Sequence, residues 1–245
     1  MAALIPKQGP IVAIDGPAGT GKSSATRRLA ELLGFVHVDT GALYRGIAYL
    51  AIQKVSGTLG AGAADLDFGA LDAAARELSS SVQLEFRRSP KKNPSNRLLA
   101  NGRDVTPFIR TPEVSMVSSR ISALPEVRAA LLGLQRQLGC AGKTILEGRD
   151  IGTVIFPDAD VKFFLTADVN ERAKRRLAEL EASGADAPSF EELKKQIVER
   201  DQGDSNRAVA PLRKAPDAIA LDTSDMTLDE VVAEMEGEVR ARLGL

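Results

Sequence analysis

Tryptophan is absent from this sequence, cysteine and histidine occur once each, and aromatic residues make up only 4% of it. Each shortage excludes something. With so few rings there is no stacking platform for single-stranded nucleic acid. A single cysteine, Cys140, allows neither an internal disulfide nor a thiolate metal cluster; beside Gly139 at the end of a predicted helix, it reads as a small apolar residue in a reducing compartment. Neither sign of charge is in excess: 32 Lys and Arg face 33 Asp and Glu, for a net charge of -1. Without a global basic field to hold nucleic acid by counterion release, any anion the protein binds must be met locally. No apolar run approaches a membrane span, and Met1 to Gly9 lacks the basic-then-apolar pattern of a signal peptide, so a cytoplasmic protein is expected. At 245 residues the chain can bury one sizeable core that carries an insert.

What is present is concentrated near the start. The β-branched run Ile11 to Ile14 suits a strand buried on both faces, and it feeds through Asp15 into Gly16-Pro17-Ala18-Gly19-Thr20-Gly21-Lys22-Ser23, followed by Ser24. Ala25, Leu29, Leu32 and Leu33 then fall at helical spacing, with Gly34 placed to stop the helix. Strand, glycine-rich loop and helix together predict a phosphate loop. The glycines turn backbone N–H groups toward an oxyanion, and the helix start adds its positive dipole end. Lys22 would reach the β- and γ-phosphates and Ser23 would ligate Mg²⁺, so 16–24 is the predicted nucleotide-binding stretch.

The rest alternates between strands and helices, with one interruption. Phe35 to Val38 reads as a strand ending in Asp39-Thr40-Gly41-Ala42-Leu43-Tyr44-Arg45, where Asp39 and Thr40 are natural N-caps. His37 lies within that strand and is read as a packed or edge-facing residue, not a base. Gly57 to Gly69 marks a boundary, Leu71 to Leu78 a short helix, and Val82, Leu84 and Phe86 a half-buried strand. Asn101-Gly102 suits a type I′ turn between Arg97 to Ala100 and Arg103 to Val105, so a small antiparallel sheet is predicted here. Thr111-Pro112-Glu113 and Leu124-Pro125-Glu126 each begin a helix. Further strands are expected at Thr144 to Leu146, Val161 to Leu165 and Ala218 to Leu221. Asp168, Ser189 and Thr227 each precede a glutamate by three residues, in the pattern of a capping box. The five core strands predict a parallel sheet with ligands off its carboxyl ends. Lys174, Arg175 and Arg176 read as a solvated helix face, as does the loop Arg87 to Lys92.

Three clusters mix arginines with acids at strand ends or beside glycine: Thr40 to Arg45, Glu147-Gly148-Arg149-Asp150, and Glu199-Arg200-Asp201 through Asp204-Ser205-Asn206-Arg207. A guanidinium fork matches phosphate oxygens and carboxylates accept hydroxyl protons, so these clusters suit phosphate and ribose recognition. Taken in order with the phosphate loop, with Ile151-Gly152-Thr153 and with Asp204-x-x-Arg207-x-x-x-Pro211, they resemble the bacterial cytidylate kinases from about Ile11 to the final helix. The resemblance implies a P-loop NTPase fold: a three-layer α/β/α core on a five-stranded parallel sheet, an inserted NMP-binding subdomain with antiparallel strands, and a short lid. The corresponding boundaries are 10–62, 114–199 and 214–245 for the core, 63–113 for the insert and 200–213 for the lid.

The implied reaction is transfer of the γ-phosphoryl group of ATP, with Mg²⁺, to CMP or dCMP; a monomer is expected, and from its charge and composition one that binds no nucleic acid and no membrane. Carried over by position, the resemblance puts Arg45, Arg149 and Arg207 on the CMP phosphate with Thr40 nearby. It gives Asp204 and Arg200 the ribose end, and Ser119, Arg128 and Asp150 the cytosine. Lys22, Arg149, Arg200 and Arg207 are then the residues expected to carry catalysis, Arg200 and Arg207 arriving as the lid closes, and Glu147 is a candidate partner of Mg²⁺. Ser24 and Gly203 stand where some members carry Thr and Arg. A kinase for another small acceptor, such as UMP, dTMP or shikimate, would share the phosphate loop. So would a nucleotide-dependent regulatory ATPase, although no apolar strand ending in Asp with a switch segment is seen.

Overall fold

A computed structural model of the protein describes residues 5–57, 66–87, 96–182 and 188–245. In chain order its elements begin with β1 (Ile11–Asp15), α1 (Lys22–Leu33), β2 (Val36–Asp39), α2 (Gly41–Ser56), α3 (Phe68–Ser81), β3 (Leu84–Arg87), β4 (Arg97–Ala100) and β5 (Arg103–Asp104). They continue with α4 (Pro112–Ile121), α5 (Pro125–Cys140), β6 (Thr144–Gly148), a short π-helix (Ile151–Ile155), β7 (Val161–Thr166), α6 (Val169–Ala182), α7 (Phe190–Asn206), β8 (Ile219–Asp222) and α8 (Leu228–Leu243). Two compact units emerge, Met1–Val38 with Arg136–Leu245, and Asp39–Gln135.

The first unit is built on a five-stranded parallel sheet in the order β2-β6-β1-β7-β8, within a three-layer α/β arrangement. Its central strand explains its own composition. β1 pairs in parallel with β6 on one side and β7 on the other, all five of its residues are buried, and an uninterrupted apolar run is what two covered faces demand. Val12 and Ile14 pack with Leu29 of α1, Ile145, Phe163, and Met235 and Val239 of α8. Strand order reverses direction around β1, so its carboxyl end, where the phosphate loop begins, is the crevice in which such sheets bind ligands.

The second unit packs α2, α3 and α4 around Leu43, Ile47, Leu71, Val117 and Ile121, with Leu98 from a three-stranded antiparallel sheet in the order β3-β4-β5. The turn between β4 and β5 has φ 48° at Asn101 and 78° at Gly102, the two positive values a type I′ turn requires. α3 starts earlier than the spacing suggested, because the Asp67 carboxylate accepts from the N–H groups of Gly69 and Ala70. Val82 closes that helix, so the strand begins only at Leu84. Part of the boundary between Gly57 and Gly69 and most of the loop from Arg87 to Lys92 lie outside the described residues.

Two local expectations are corrected. Thr40 makes no side-chain cap; Asp39, one residue further out, accepts from the N–H of Ala42 at 3.2 Å. Arg175 is no solvated residue: its guanidinium donates to the carbonyls of Thr223 (2.6 Å) and Ser224 (3.4 Å), tying α6 to the end of β8. Of the three capping boxes, the reciprocal pair of bonds is complete at Thr227 and Glu230.

Candidate active site

The phosphate loop has the backbone its glycines predict. Gly16, Gly19 and Gly21 have φ of 144°, 78° and 78°. A Cβ on Gly16 would lie 2.0 Å from the carbonyl oxygen of Leu165, and one on Gly19 would press on Arg172 at 3.0 Å, so space as well as conformation requires glycine at both. Lys22 opens α1 and is buried; its ammonium donates to the carbonyl of Pro17 and, at 3.3 Å, to the hydroxyl of Thr20. Burial pushes its pKa well below the usual lysine range, Arg149 and Arg200 push the same way, and Glu147 and Asp15 oppose them. An anion arriving beside such an ammonium would stabilise its charged form further, against the burial that disfavours it.

The residue after Lys22 meets an acid from across the sheet. The Ser23 hydroxyl donates to Glu147 Oε2 at 2.7 Å, and His37 Nε2 lies 2.9 Å from Glu147 Oε1. His37 is thus on an edge strand as expected, but in a specific polar contact and not simply packed. Pro17, Ala18, Thr20 and Ser24 stand in the loop and the first turn of α1.

The segment after β6 is anchored to the end of β1. The two oxygens of the buried Asp15 carboxylate accept from Ile151 N (2.8 Å) and Gly152 N (2.7 Å). Burial raises the Asp15 pKa from an ordinary 3.8 to about 6, offset in part by those two hydrogen bonds. Immediately before this grip stand Arg149 and Asp150. Arg149 Nε donates to Asp204 Oδ2 at 2.9 Å, and Arg207 lies 3.7 Å from Asp150 and 3.8 Å from Asp204. Burial works against the Asp204 carboxylate, but Arg149, Arg200 and Arg207 outweigh it and hold its pKa below the usual range. The first unit therefore assembles Lys22, Arg149, Asp150, Arg200, Asp204 and Arg207, the last three from the end of α7 and the residue after it.

The second unit assembles the other predicted contacts. Arg45 and Arg110 both donate to Asp39 Oδ2, Arg110 at 3.2 Å, and Thr40 beside them is buried. Arg128, on the first turn of α5, is buried, donates to the carbonyl of Ser122 at 3.2 Å and stands over the Tyr44 ring at 5.8 Å. Ser122 in turn donates to the carbonyl of Ser119 at 2.7 Å, which links the two residues expected at the base. Sequence reasoning did not single out Asp15, Arg110 or Arg172. Arg172 is a buried arginine that donates to the carbonyl of Ala18 at 3.1 Å and pairs with Asp201 at 2.6 Å, so it ties the phosphate loop to α7. No local signal marks it: the residues that share its helical face include Asp168, Arg175 and Arg176, and its partners lie in distant segments.

A phosphate loop on the central strand of a parallel sheet, backed by buried lysine and clustered arginines, defines a P-loop phosphotransferase. The comparisons sharpen the class. The family model described as cytidylate kinase matches residues 12–241. A cytidylate kinase of Geobacter sp. (strain M21) is 46% identical over 240 residues, covering 98% of this chain and 97% of that one. One from Syntrophotalea carbinolica is 48% identical over 225 residues, covering 92% and 89%. A bifunctional pantoate ligase/cytidylate kinase of Synechococcus sp. (strain RCC307) is 46% identical over 226 residues, 92% of this chain and 42% of that one. The chain belongs to the cytidylate kinase family.

Proposed function

We propose that the protein transfers the γ-phosphoryl group of ATP to CMP or dCMP, releasing ADP and CDP or dCDP. An oxygen of the CMP phosphate forms the new bond to the γ-phosphorus as the bond to the ADP leaving oxygen breaks. That acceptor oxygen already carries charge, so no side chain has to remove a proton. The difficulty is electrostatic: two anions must be aligned and the charge spreading over the transferring group neutralised. The observation that carries the reading is the convergence of Lys22, Arg149, Arg200 and Arg207 in one unit with the phosphate loop.

In this reading the N–H groups of 16–24 and Lys22 hold the donor phosphates, and Arg149 and Arg207 with Arg45 and Thr40 hold the CMP phosphate. Asp204 orients arginines and, with Arg200, serves the ribose end. Ser119, Arg128 and Asp150 read cytosine. Segment 63–113 is the NMP-binding insert, 200–213 the lid, and 10–62, 114–199 and 214–245 the core. The residues also fit Mg²⁺. Among the described residues no group of three His, Cys, Asp or Glu side chains could hold a metal, which suits an ion held largely by phosphate oxygens and water. Ser23 offers one hard oxygen on an exposed residue, backed by the buried Glu147 carboxylate. When bound, Mg²⁺ would offset phosphate charge. We further propose a cytoplasmic monomer; no helix among the described residues is long and apolar enough to cross a membrane.

A coupled ADP-release assay with CMP, dCMP, UMP, dTMP and shikimate tests the reading. ADP formation should depend strictly on CMP or dCMP. Turnover with UMP as efficient as with CMP, or acceptor-independent ADP formation, would overturn it.

A further inference from the structure

The only histidine of the sequence stands on β2, next to β6 in the sheet, with its Nε2 2.9 Å from Glu147 Oε1. The other oxygen of the same carboxylate accepts from Ser23 at 2.7 Å. Both side chains are well covered, at 18% exposure for His37 and 5% for Glu147. Because Ser23 donates to one oxygen, the carboxylate acts there as an acceptor; accepting also at the other oxygen requires the proton on His37 Nε2. A carboxylate held at one oxygen can pivot about its last torsion, whereas one held at both is fixed. His37 has no place in the proposed phosphoryl transfer itself, yet its contact at Oε1 restrains Glu147 from turning away from Ser23.

We infer that His37 is a positioning residue: it fixes Glu147, Glu147 fixes the Ser23 hydroxyl, and the chain of three sets where a divalent cation rests against the bound nucleotide. The inference rests on the reading that the nucleotide is used as its Mg²⁺ complex. Groups that orient metal ligands in this way are frequent contributors to metal affinity without touching the metal. The edge strand makes the arrangement economical, since β2 presents a side chain to β6 without crossing any other strand.

The test compares ADP affinity with Mg²⁺ and with EDTA, by titration calorimetry, in the parent protein, His37→Phe and His37→Gln. Mg²⁺ should tighten ADP in the parent. His37→Phe keeps a ring but loses the donor, and it should lose about tenfold of that gain, the lower end of what removing an orienting group costs. Its affinity for metal-free ADP should stay within about twofold, since Glu147 and Ser23 act through the metal. His37→Gln can place an amide donor where Nε2 stood and should recover most of the gain; a role in packing alone would not be rescued this way. If His37→Phe retains the full Mg²⁺ gain, the inference is wrong while the metal reading survives. If the parent shows no Mg²⁺ gain, the metal reading fails first and takes the inference with it. Should His37→Phe fold poorly by circular dichroism, the parent decides alone: with one histidine, its ¹⁵N imidazole spectrum is unambiguous. The Nε2 resonance of the ADP complex should move on adding Mg²⁺; an unmoved resonance overturns the inference.

Discussion

Replacing Asp15 by asparagine separates two effects that usually come mixed. The carboxylate accepts one backbone N–H at each oxygen, from Ile151 and from Gly152. Asparagine keeps one acceptor and turns an NH₂ group toward the second N–H, so two donors face each other in a buried site. An unsatisfied buried donor costs about 1–3 kcal/mol. Against that, asparagine removes a buried charge. The Asp15 pKa rises by roughly two units on folding, from 3.8 to about 6, which is about 3 kcal/mol at neutral pH. The two terms nearly cancel at pH 7, so stability there is a poor test. The pH dependence is a good one. With the folded-state pKa raised, the folded protein takes up the proton first, so the group's stabilisation is fully present below pH 3.8 and is lost as pH rises through about 6. Measured against Asp15→Asn, the parent should therefore gain about 2 kcal/mol between pH 7 and pH 4, most of the full effect. Urea unfolding followed by far-ultraviolet circular dichroism suits a chain without tryptophan. At pH 7 the same variant should lose roughly ten- to hundredfold in kcat/KM for CMP, because Arg149 and Asp150 are held by the segment that Asp15 grips. A stability difference that is flat from pH 7 to pH 4 would refute the raised carboxyl, and kcat/KM within about twofold of the parent would refute the anchoring.

Lys22→Ala should lower kcat by about two to three orders of magnitude with a smaller change in nucleotide binding, since the ammonium acts on charge that grows in the transition state; stopped-flow turnover with saturating CMP measures it. Arg207→Lys should already be harmful, because an ammonium cannot reproduce a two-pronged phosphate contact. A lysine variant equal to the parent in kcat and in KM for CMP removes Arg207 from the site. If Asp150 and Arg128 read the base as proposed, the acid would accept from the cytosine amino group and the arginine would donate to N3 or O2, whereas uracil would set its O4 against the acid. CMP should be preferred to UMP by tenfold to several hundredfold in kcat/KM, about 1–3 kcal/mol for each group left unpaired. Asp150→Asn should narrow that gap mainly by weakening CMP, and an unchanged ratio would dismiss Asp150 from base recognition.

What could be read from the sequence was local. The phosphate loop needs three glycines, a lysine and a serine within eight residues, and the turn at Asn101-Gly102 needs only its two residues to have positive φ. The capping box at Thr227 likewise spans four residues. What escaped was decided by distant partners. Asp15 lies 136 residues from Ile151, and His37 110 residues from Glu147, so nothing near either one announces its role. Arg175 reads as surface charge because its neighbours Lys174 and Arg176 are surface charge; its bonds to Thr223 and Ser224 exist only because β8 ends beside α6. The resemblance to cytidylate kinases supplied Asp150 and Asp204 along with the arginines, but as ligand contacts and not as the acids that pair with Arg149 and Arg207.

Those acids matter because four cations brought together in one unit would otherwise repel one another. Lys22 registers this repulsion directly: Arg149 and Arg200 both make its charged form less favourable. Asp204 counters it by standing between Arg149 and Arg207, and its depressed pKa measures how strongly the guanidiniums favour its charge. Asp150 adds a second acid to Arg207. The forks are thereby held before the phosphates arrive, and the ordering of long side chains is settled in folding instead of in the reaction. An Asp204→Asn change would leave every arginine in the chain yet remove the charge that sets two of them, so if the arginines act as proposed the acid contributes to their arrangement as much as the cations do.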